Sequence, residues 1–397
     1  MATRRSVIAD EHVQDAFRRG RKHIEVLPDT IVTAQARETA DRLKIELKDG
    51  PLEKPHIVRT DGATAMRRVL FRRHPGWEPP RKTDLRSAMK ISHLALVGAG
   101  GVGMNIAHLA ANREMAEHIS LIDVVPGAAS AMALDLMHSS GVSRSTTRIE
   151  GGEHMSLVAG ADVVVVTAGR PRTPGMTRAD LLTVNGRVIN SVGEQIKTLA
   201  PNAIVIVVSN PLDEMTWQML KITGFPRERV LGMAGTLDSS RFRYSLAKAA
   251  GVAVTDVQAM TLGSHGEEMV PVASRATIRE RSLDVFLSSD QIADCRRETV
   301  NGGAAVVALK KTGSATLAPA QSTLELIDHI RGARAGTVPV SVLLDGEYGI
   351  EGTVVGVPCH LGLSGVVNIE ELSLTHQELI ELRAAAMAVR VRLESMP

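Results

Sequence analysis

HLALVGAGGVGMNIAHLAANREMAEHISLIDVV, residues 93–125, opens on an apolar run, breaks into glycines, continues with helical spacing and closes on a second apolar run that ends at an aspartate. Gly98, Gly100 and Gly103 form G-x-G-x-x-G, with Gly101 between them. A bare match to this pattern is weak, because glycine turns are common. Here it follows a strand and opens a helix, which is the context that the pattern needs. Gly98 permits a tight turn, Gly100 and Gly101 let a pyrophosphate approach the backbone, and Gly103 lets helix and strand pack closely. The phosphates then meet the N–H groups at a helix N-terminus. Asp123 stands 20 residues beyond Gly103 at the end of the next strand, where a carboxylate can accept from a ribose 2′-hydroxyl. By itself Asp123 would read as a turn aspartate; with the glycines it points to a dinucleotide, and its charge repels a 2′-phosphate, so NAD is favoured over NADP.

Outward from this unit the pattern repeats. ADVVVVTAG (161–169) and NAIVIVVSNP (202–211) read as buried strands separated by helical stretches, which implies βαβ units and a parallel sheet. From about residue 236 helices and strands mix in α+β fashion. The expected fold is α/β: a Rossmann-type NAD domain over 89–236, an α+β substrate domain over 237–397, and a small basic extension over 1–88. That extension reads as short helices around a strand, with a further basic helix at ATAMRRVLFRR (63–73) and a linker at HPGWEPPRKTD (74–84). No internal repeat is evident.

Net charge is +2 over 397 residues, unevenly spread. Residues 1–90 hold 20 Lys and Arg against 13 Asp and Glu, and the rest is mildly acidic. Cys295 and Cys359 form no CxxC pair and imply no disulfide framework, which fits a reducing cytosol. The N-terminus lacks the apolar region of a secretory signal, and no apolar run is long enough to span a membrane. Only Phe17, Phe71 and Trp77 could stack on bases in the basic segment, so no specific nucleic-acid partner is expected.

Three groups of residues carry chemistry. Asn210 ends a strand in VVSNP (207–211), where ligands of open α/β sheets gather; it could equally be a turn-former before proline. Asp238 and Arg241 are three apart on a helix and share a face, as an ordinary surface ion pair also would. His265, in LGSHGEE (262–268), follows a strand and could be a plain loop histidine. With Asp238 behind it, it could instead hold or donate one proton near neutral pH. No second histidine or cysteine stands at metal spacing from it, so no metal is expected. RPRTPGMTR (170–178) puts three arginines on a segment that prolines keep from being helical, as suits a solvated loop or a lid over a ligand with more than one negative group.

Together these residues resemble the lactate/malate dehydrogenase family, most closely its lactate-dehydrogenase-like bacterial malate dehydrogenases. TAGRPRTPGMTRADLL (167–182), VVSNPLDEMT (207–216), GMAGTLDSSRFR (232–243), GSHGEEMVPV (263–272) and GEYGIEGTVVGVP (346–358) follow GAGGVG (98–103) in that family's order and spacing. The resemblance implies that His265 is the proton donor and acceptor, oriented by Asp238. It further implies that Arg241 forks onto the substrate's C1 carboxylate, Arg178 polarises the reacting carbonyl, and Asn210 hydrogen-bonds the substrate. Asn185 and the backbone at Val208 would line the cofactor. Arg172 falls where malate-specific members keep an arginine and lactate enzymes usually keep glutamine.

There are departures. Arg170 replaces an apolar residue and reads as a solvated charge. Glu267 and Glu268 put two acids beside the histidine, either to repel a dianionic substrate or to face water. TLAPA (316–320) replaces a tyrosine-bearing segment, which could alter the pocket floor near Ser314.

The expected activity is NAD-dependent oxidation of (S)-malate to oxaloacetate and the reverse. The runner-up is lactate or another small 2-hydroxy acid. A catalytically silent structural subunit is the alternative of a different class. The resemblance suggests a cytoplasmic homodimer or homotetramer acting on a small dicarboxylate in the tricarboxylic acid cycle, with no membrane partner. Residues 1–80 faintly resemble N-terminal segments of bacterial microcompartment enzymes, which would make shell or core proteins their partners.

Overall fold

The computed structural model describes residues 7–26, 30–49, 88–170, 178–311 and 313–394. The chain divides into two compact units, residues 1–79 and 80–397. The third basic helix and the linker expected in the extension, together with Arg172 and most of its loop, lie outside the described residues.

In the first unit the order is β1 (Val7–Ile8), α1 (Asp10–Arg18), β2 (His23–Val26), β3 (Ile31–Val32), α2 (Ala34–Leu43) and β4 (Glu46–Asp49). This is one strand–helix–strand pass made twice. Val7 pairs with Ile31 and His23 with Glu46, both in parallel, so the two passes are offset by 23–24 residues. The sequence reading saw no repeat. The reason is physical: the passes share little beyond a few small and branched apolar positions. Val13, Ala36, Ala40 and Ile45 form a buried core that Ile8, Ile24, Val32 and Leu47 close.

The second unit begins with β5 (Ile91–Val97), α3 (Gly101–Asn112), β6 (Ala116–Ile122), α4 (Ala128–Ser143), β7 (Arg148–Gly152), β8 (Val163–Val166), α5 (Arg178–Leu199), β9 (Ile204–Val207), α6 (Leu212–Thr223) and β10 (Val230–Gly232). The six strands are all parallel and lie in the spatial order β10-β9-β8-β5-β6-β7. The direction of winding reverses between β5 and β8, which is where such sheets open a crevice for ligands. Helices cover both faces: Leu94, Leu96, Ile106 and Ile119 fill one layer, and Val97, Val164, Ile189 and Met215 the other.

After β10 come α7 (Gly235–Ala250), β11 (Val257–Gln258), β12 (Thr261–Gly263), β13 (Met269–Pro271), β14 (Thr277–Ile278), β15 (Arg281–Ser282), α8 (Ser289–Lys310), α9 (Leu317–Ile330), β16 (Val338–Asp345), β17 (Glu351–Gly362), β18 (Gly365–Ile369) and α10 (His376–Glu394). These elements do not stand apart from the parallel strands. β16 pairs antiparallel with β10, and β17, β12 and β13 extend the same sheet. Gly232, Ser341, Gly356 and Gly263 lie in one row across four strands. The row must be small: a Cβ on Gly356 would stand 2.8 Å from the Gly263 carbonyl oxygen. The chain leaves this row directly into His265.

Candidate active site

The glycine loop is fixed by sterics. Gly98 sits at φ +108°, and a Cβ there would stand 2.6 Å from Thr167 Oγ1. A Cβ on Gly103 would fall 1.9 Å from the Gly98 carbonyl oxygen, so helix and strand touch through bare backbone. A Cβ on Gly101 would meet Thr316 Cγ2 at 2.7 Å, whereas one on Gly100 would meet nothing. The protein itself therefore needs glycine at 98, 101 and 103, while Gly100 faces open space at the N-cap of α3, with no side chain capping it. That is the shape required of a phosphate cradle. Asp123 braces the same loop: its Oδ2 accepts from the Ala99 N–H at 2.8 Å and its Oδ1 from the Val125 N–H at 3.0 Å.

Asn185 has a different part from that of a simple cofactor contact. It is buried on α5, where its Oδ1 accepts from the Arg170 N–H at 2.7 Å and its Nδ2 donates to the carbonyl of Asn210 at 2.6 Å. One amide thus ties together the segments that follow β8 and β9, both at the carboxyl ends of parallel strands. The Val208 N–H donates to the Val166 carbonyl at 2.8 Å, which holds the ends of β8 and β9 together. The Asn210 side chain is exposed beside these ends.

The Asp238–His265–Arg241 cluster is assembled by α7. Gly235 lets this helix start hard against its neighbours, since a Cβ there would lie 2.8 Å from Pro339. The Ser239 hydroxyl accepts from the Thr261 N–H at 2.8 Å, which docks the helix on β12. Asp238, in the first turn, is only 2% exposed. Its Oδ2 lies 2.8 Å from His265 Nδ1 and its Oδ1 accepts from Arg241 at 3.0 Å. An aspartate behind Nδ1 fixes the tautomer and leaves Nε2 to exchange a proton with a ligand. Burial opposes charge on His265, but the Asp238 carboxylate and its hydrogen bond outweigh that and raise the pKa above the usual histidine value. The Asp238–Arg241 pair is therefore no surface ion pair.

Several residues that hold this site escaped the sequence reading. The His265 N–H donates to Asp213 Oδ2 at 2.8 Å, and the Ser341 hydroxyl donates to Asp213 Oδ1 at 2.8 Å. Burial, and after it the neighbouring Glu214 charge, push the Asp213 carboxyl above its usual range. Gly302 and Gly303, inside α8, make room for Arg241: a Cβ on Gly302 would lie 3.1 Å from Arg241 Cδ. Two glycines in mid-helix cost roughly 2 kcal/mol relative to alanine, and that local expense was the one available sequence signal. Glu268 is tied down by an ion pair: its Oε1 accepts from Arg392 at 2.9 Å. Glu267 is exposed. Ser314 is also exposed, and its carbonyl accepts from Lys310 at 2.9 Å. Arg178 begins α5.

Cys295 and Cys359 are buried thiols. Among the described residues no group of three or more His, Cys, Asp or Glu could hold a metal ion, and no helix is long and apolar enough to cross a membrane.

Comparison with known proteins agrees with the geometry. Residues 92–232 match the lactate/malate dehydrogenase NAD binding domain, and residues 235–396 match the alpha/beta C-terminal domain of the same family. The malate dehydrogenase of Syntrophotalea carbinolica is 42% identical over 313 residues, which cover 77% of this chain and 98% of that protein. The malate dehydrogenase structure from Cryptosporidium parvum superposes with a TM-score of 0.75 at 34% identity, covering 78% of this chain and 99% of that one. A lactate dehydrogenase structure from the same organism, complexed with lactic acid and NAD, gives a TM-score of 0.74 at 34% identity and covers 78% of this chain and all of its own. With both domain models matched in order and relatives covered nearly end to end, the chain belongs to the lactate/malate dehydrogenase family.

Proposed function

We propose that the chain is an NAD-dependent malate dehydrogenase that interconverts (S)-malate and oxaloacetate. The observation that carries this reading is the Asp238–His265–Arg241 constellation, one hydrogen-bonded set on α7 and the loop after β12. A structural subunit has no need of it. The open face at Gly100 and the carboxylate of Asp123 fit an NAD molecule, whose nicotinamide ring supplies or accepts the hydride when it is bound. His265 gives its Nε2 proton to the carbonyl oxygen in reduction and takes it back in oxidation. Arg241 grips the C1 carboxylate bidentately. Arg178 stabilises the negative charge that develops on the reacting oxygen, and Asn210 orients that oxygen. Arg172 reads the second carboxylate, while Val208 and Asn185 shape the cofactor side.

Malate is favoured over lactate by Arg172 and by the malate dehydrogenase names of the relatives at about 40% identity. Lactate remains the second reading because a lactate dehydrogenase superposes almost equally well. Steady-state NADH oxidation with oxaloacetate and with pyruvate tests both: a higher kcat/KM for oxaloacetate is expected, and a higher value for pyruvate overturns the assignment.

In this reading residues 89–236 bind the cofactor and 237–397 the substrate. The enzyme works as a cytoplasmic homodimer or homotetramer in the tricarboxylic acid cycle. Residues 1–80 act as a docking segment for microcompartment shell or core proteins. Their excess of basic residues and their separate compact unit support a part outside the chemistry. A chain of residues 89–397 is then expected to keep near-full activity, and residues 1–80 fused to a fluorescent protein to co-localise with co-expressed shell proteins. Diffuse fluorescence would remove the docking part.

A further inference from the structure

The loop that carries His265 is clasped by a guanidinium from the far end of the chain. Arg392, on α10, donates from Nε to Glu214 Oε1 at 2.6 Å, from one terminal nitrogen to Glu268 Oε1 at 2.9 Å and from the other to the Ser264 hydroxyl at 3.0 Å. Ser264 and Glu268 bracket His265. Glu214, 1% exposed, follows Asp213, which takes the His265 N–H. The adjacent acids of LDEM (212–215) therefore hold the loop twice, Asp213 directly and Glu214 through Arg392.

We propose that Arg392 is a positioning residue for proton transfer, a half-buried latch that sets where His265 Nε2 stands. The inference rests on the dehydrogenase reading above. Anchoring of α10 alone does not account for the latch. That helix is already held by Glu378, which accepts from Ser274 and Thr375, by Arg296 on Glu381, and by Arg383 on the Tyr348 carbonyl. Arg392 is the member of the helix whose bonds converge on both flanks of the histidine. The planar fork spreads its donors over three nitrogens and so spans acceptors lying on different sides; a lysine also has three N–H donors, but all on one compact nitrogen. Precision matters here because a general acid must lie within hydrogen-bond reach of the oxygen that it protonates. A displacement of about 1 Å can cost on the order of 100-fold in rate.

The test uses the full chain, with turnover expressed per NADH-binding site so that unfolded protein does not count. Arg392→Gln is expected to lower kcat by about 10- to 100-fold, while the Kd for NADH stays within about twofold. Arg392→Lys keeps a positive charge beside Glu214, so it restores most of the Tm without restoring kcat; a purely structural residue would restore both. If Arg392→Gln does not fold, the double variant Ser264→Ala/Glu268→Ala, which leaves the Arg392–Glu214 pair intact, carries the test and is expected to lose at least fivefold in kcat. Turnover within twofold of the unmodified enzyme in the folded variant, or recovery of Tm and kcat together in Arg392→Lys, overturns the latch. An unmodified enzyme that reduces no 2-oxo acid would overturn the dehydrogenase reading and the latch with it. An active enzyme with indifferent variants would remove the latch alone.

Discussion

The glycine loop at 98–103 and the histidine loop at 263–268 belong to one continuous sheet, yet they are held by opposite means. The first is fixed chiefly by absence: three glycines whose missing side chains let Thr167, Thr316 and the loop's own backbone close in, with few side-chain bonds, Asp123 accepting from the Ala99 N–H and the Thr167 hydroxyl donating to the Gly98 carbonyl among them. The second is fixed by presence. Asp213, Asp238, Ser341, Glu214 and Arg392 converge on it from four separate elements. A site that must admit a long ligand along its backbone is built from small residues. A site that must place one ring nitrogen needs hydrogen bonds on every side.

The contrast is broken most severely at the ring itself. His265→Asn should bind NADH normally, because Gly100 and Asp123 belong to the other loop, while turnover falls by about 100- to 10,000-fold, the usual worth of a general acid. Turnover within a few-fold of the unmodified enzyme would show that the proton comes from elsewhere. The mirror experiment is Gly103→Ala. Its Cβ would overlap the Gly98 carbonyl, so β5 and α3 must part. Overpacking of this kind costs roughly 1–3 kcal/mol, which here should appear as a 5- to 150-fold weaker Kd for NADH. A variant that binds NADH as tightly as the parent would mean that the loop tolerates opening.

This difference also explains what was legible in the sequence. Gly98, Gly100, Gly103 and Asp123 are local: a strand, a turn, a helix and an acid within one βαβ unit, and the parallel pairing of the strands, though not their spatial order, follows from that alternation. Asp238 and Arg241 were legible as a pair because three residues on a helix share a face. Asp213 was not, since its partners stand 52 and 128 residues away and it reads as an ordinary first-turn acid on α6. Arg392 lies 178 residues from Glu214 and was invisible for the same reason. Glu268 was noticed as a stray charge, but its meaning depends on a helix that no local pattern ties to it. The doubled strand–helix–strand unit at the N-terminus was hidden differently, by dissimilar side chains on similar backbones.

A milder perturbation sharpens the comparison on the cofactor side. Asp123→Ser removes a charge that repels a 2′-phosphate but keeps an oxygen that can accept from the Ala99 N–H. The unmodified enzyme should prefer NADH to NADPH by at least about tenfold in kcat/KM, since one charge contact at a half-exposed position is worth roughly 1–2 kcal/mol. The variant should narrow that preference, with Tm little changed. Equal use of both cofactors by the unmodified enzyme would remove the part assigned to Asp123.

The smallest effect concerns histidines on the two sides. His93 on β5 and His118 on β6 stack with ring centroids 4.5 Å apart. Burial pushes both pKa values below the usual histidine value; for His93 the His118 ring adds to this, and for His118 the Glu150 carboxylate opposes it without reversing it. A group whose folded pKa is depressed resists the proton that the unfolded chain takes up. The contribution of this pair to stability is therefore intact above the ordinary pKa of 6.5 and is lost as the pH falls through 6.5 toward the lower folded values. His265 has the opposite sign. Its raised folded pKa makes a contribution that is complete below 6.5 and is lost as the pH rises through the folded value. Thermal unfolding of the unmodified protein, of His93→Gln/His118→Gln and of His265→Asn between about pH 5.5 and 8.5 separates the two. The double variant should lose less Tm than the parent on the acid side, and His265→Asn should lose less on the alkaline side. If the double variant falls as steeply in acid as the parent does, the stacked pair is not the source of the acid sensitivity, and the contrast between the two sides is confined to chemistry.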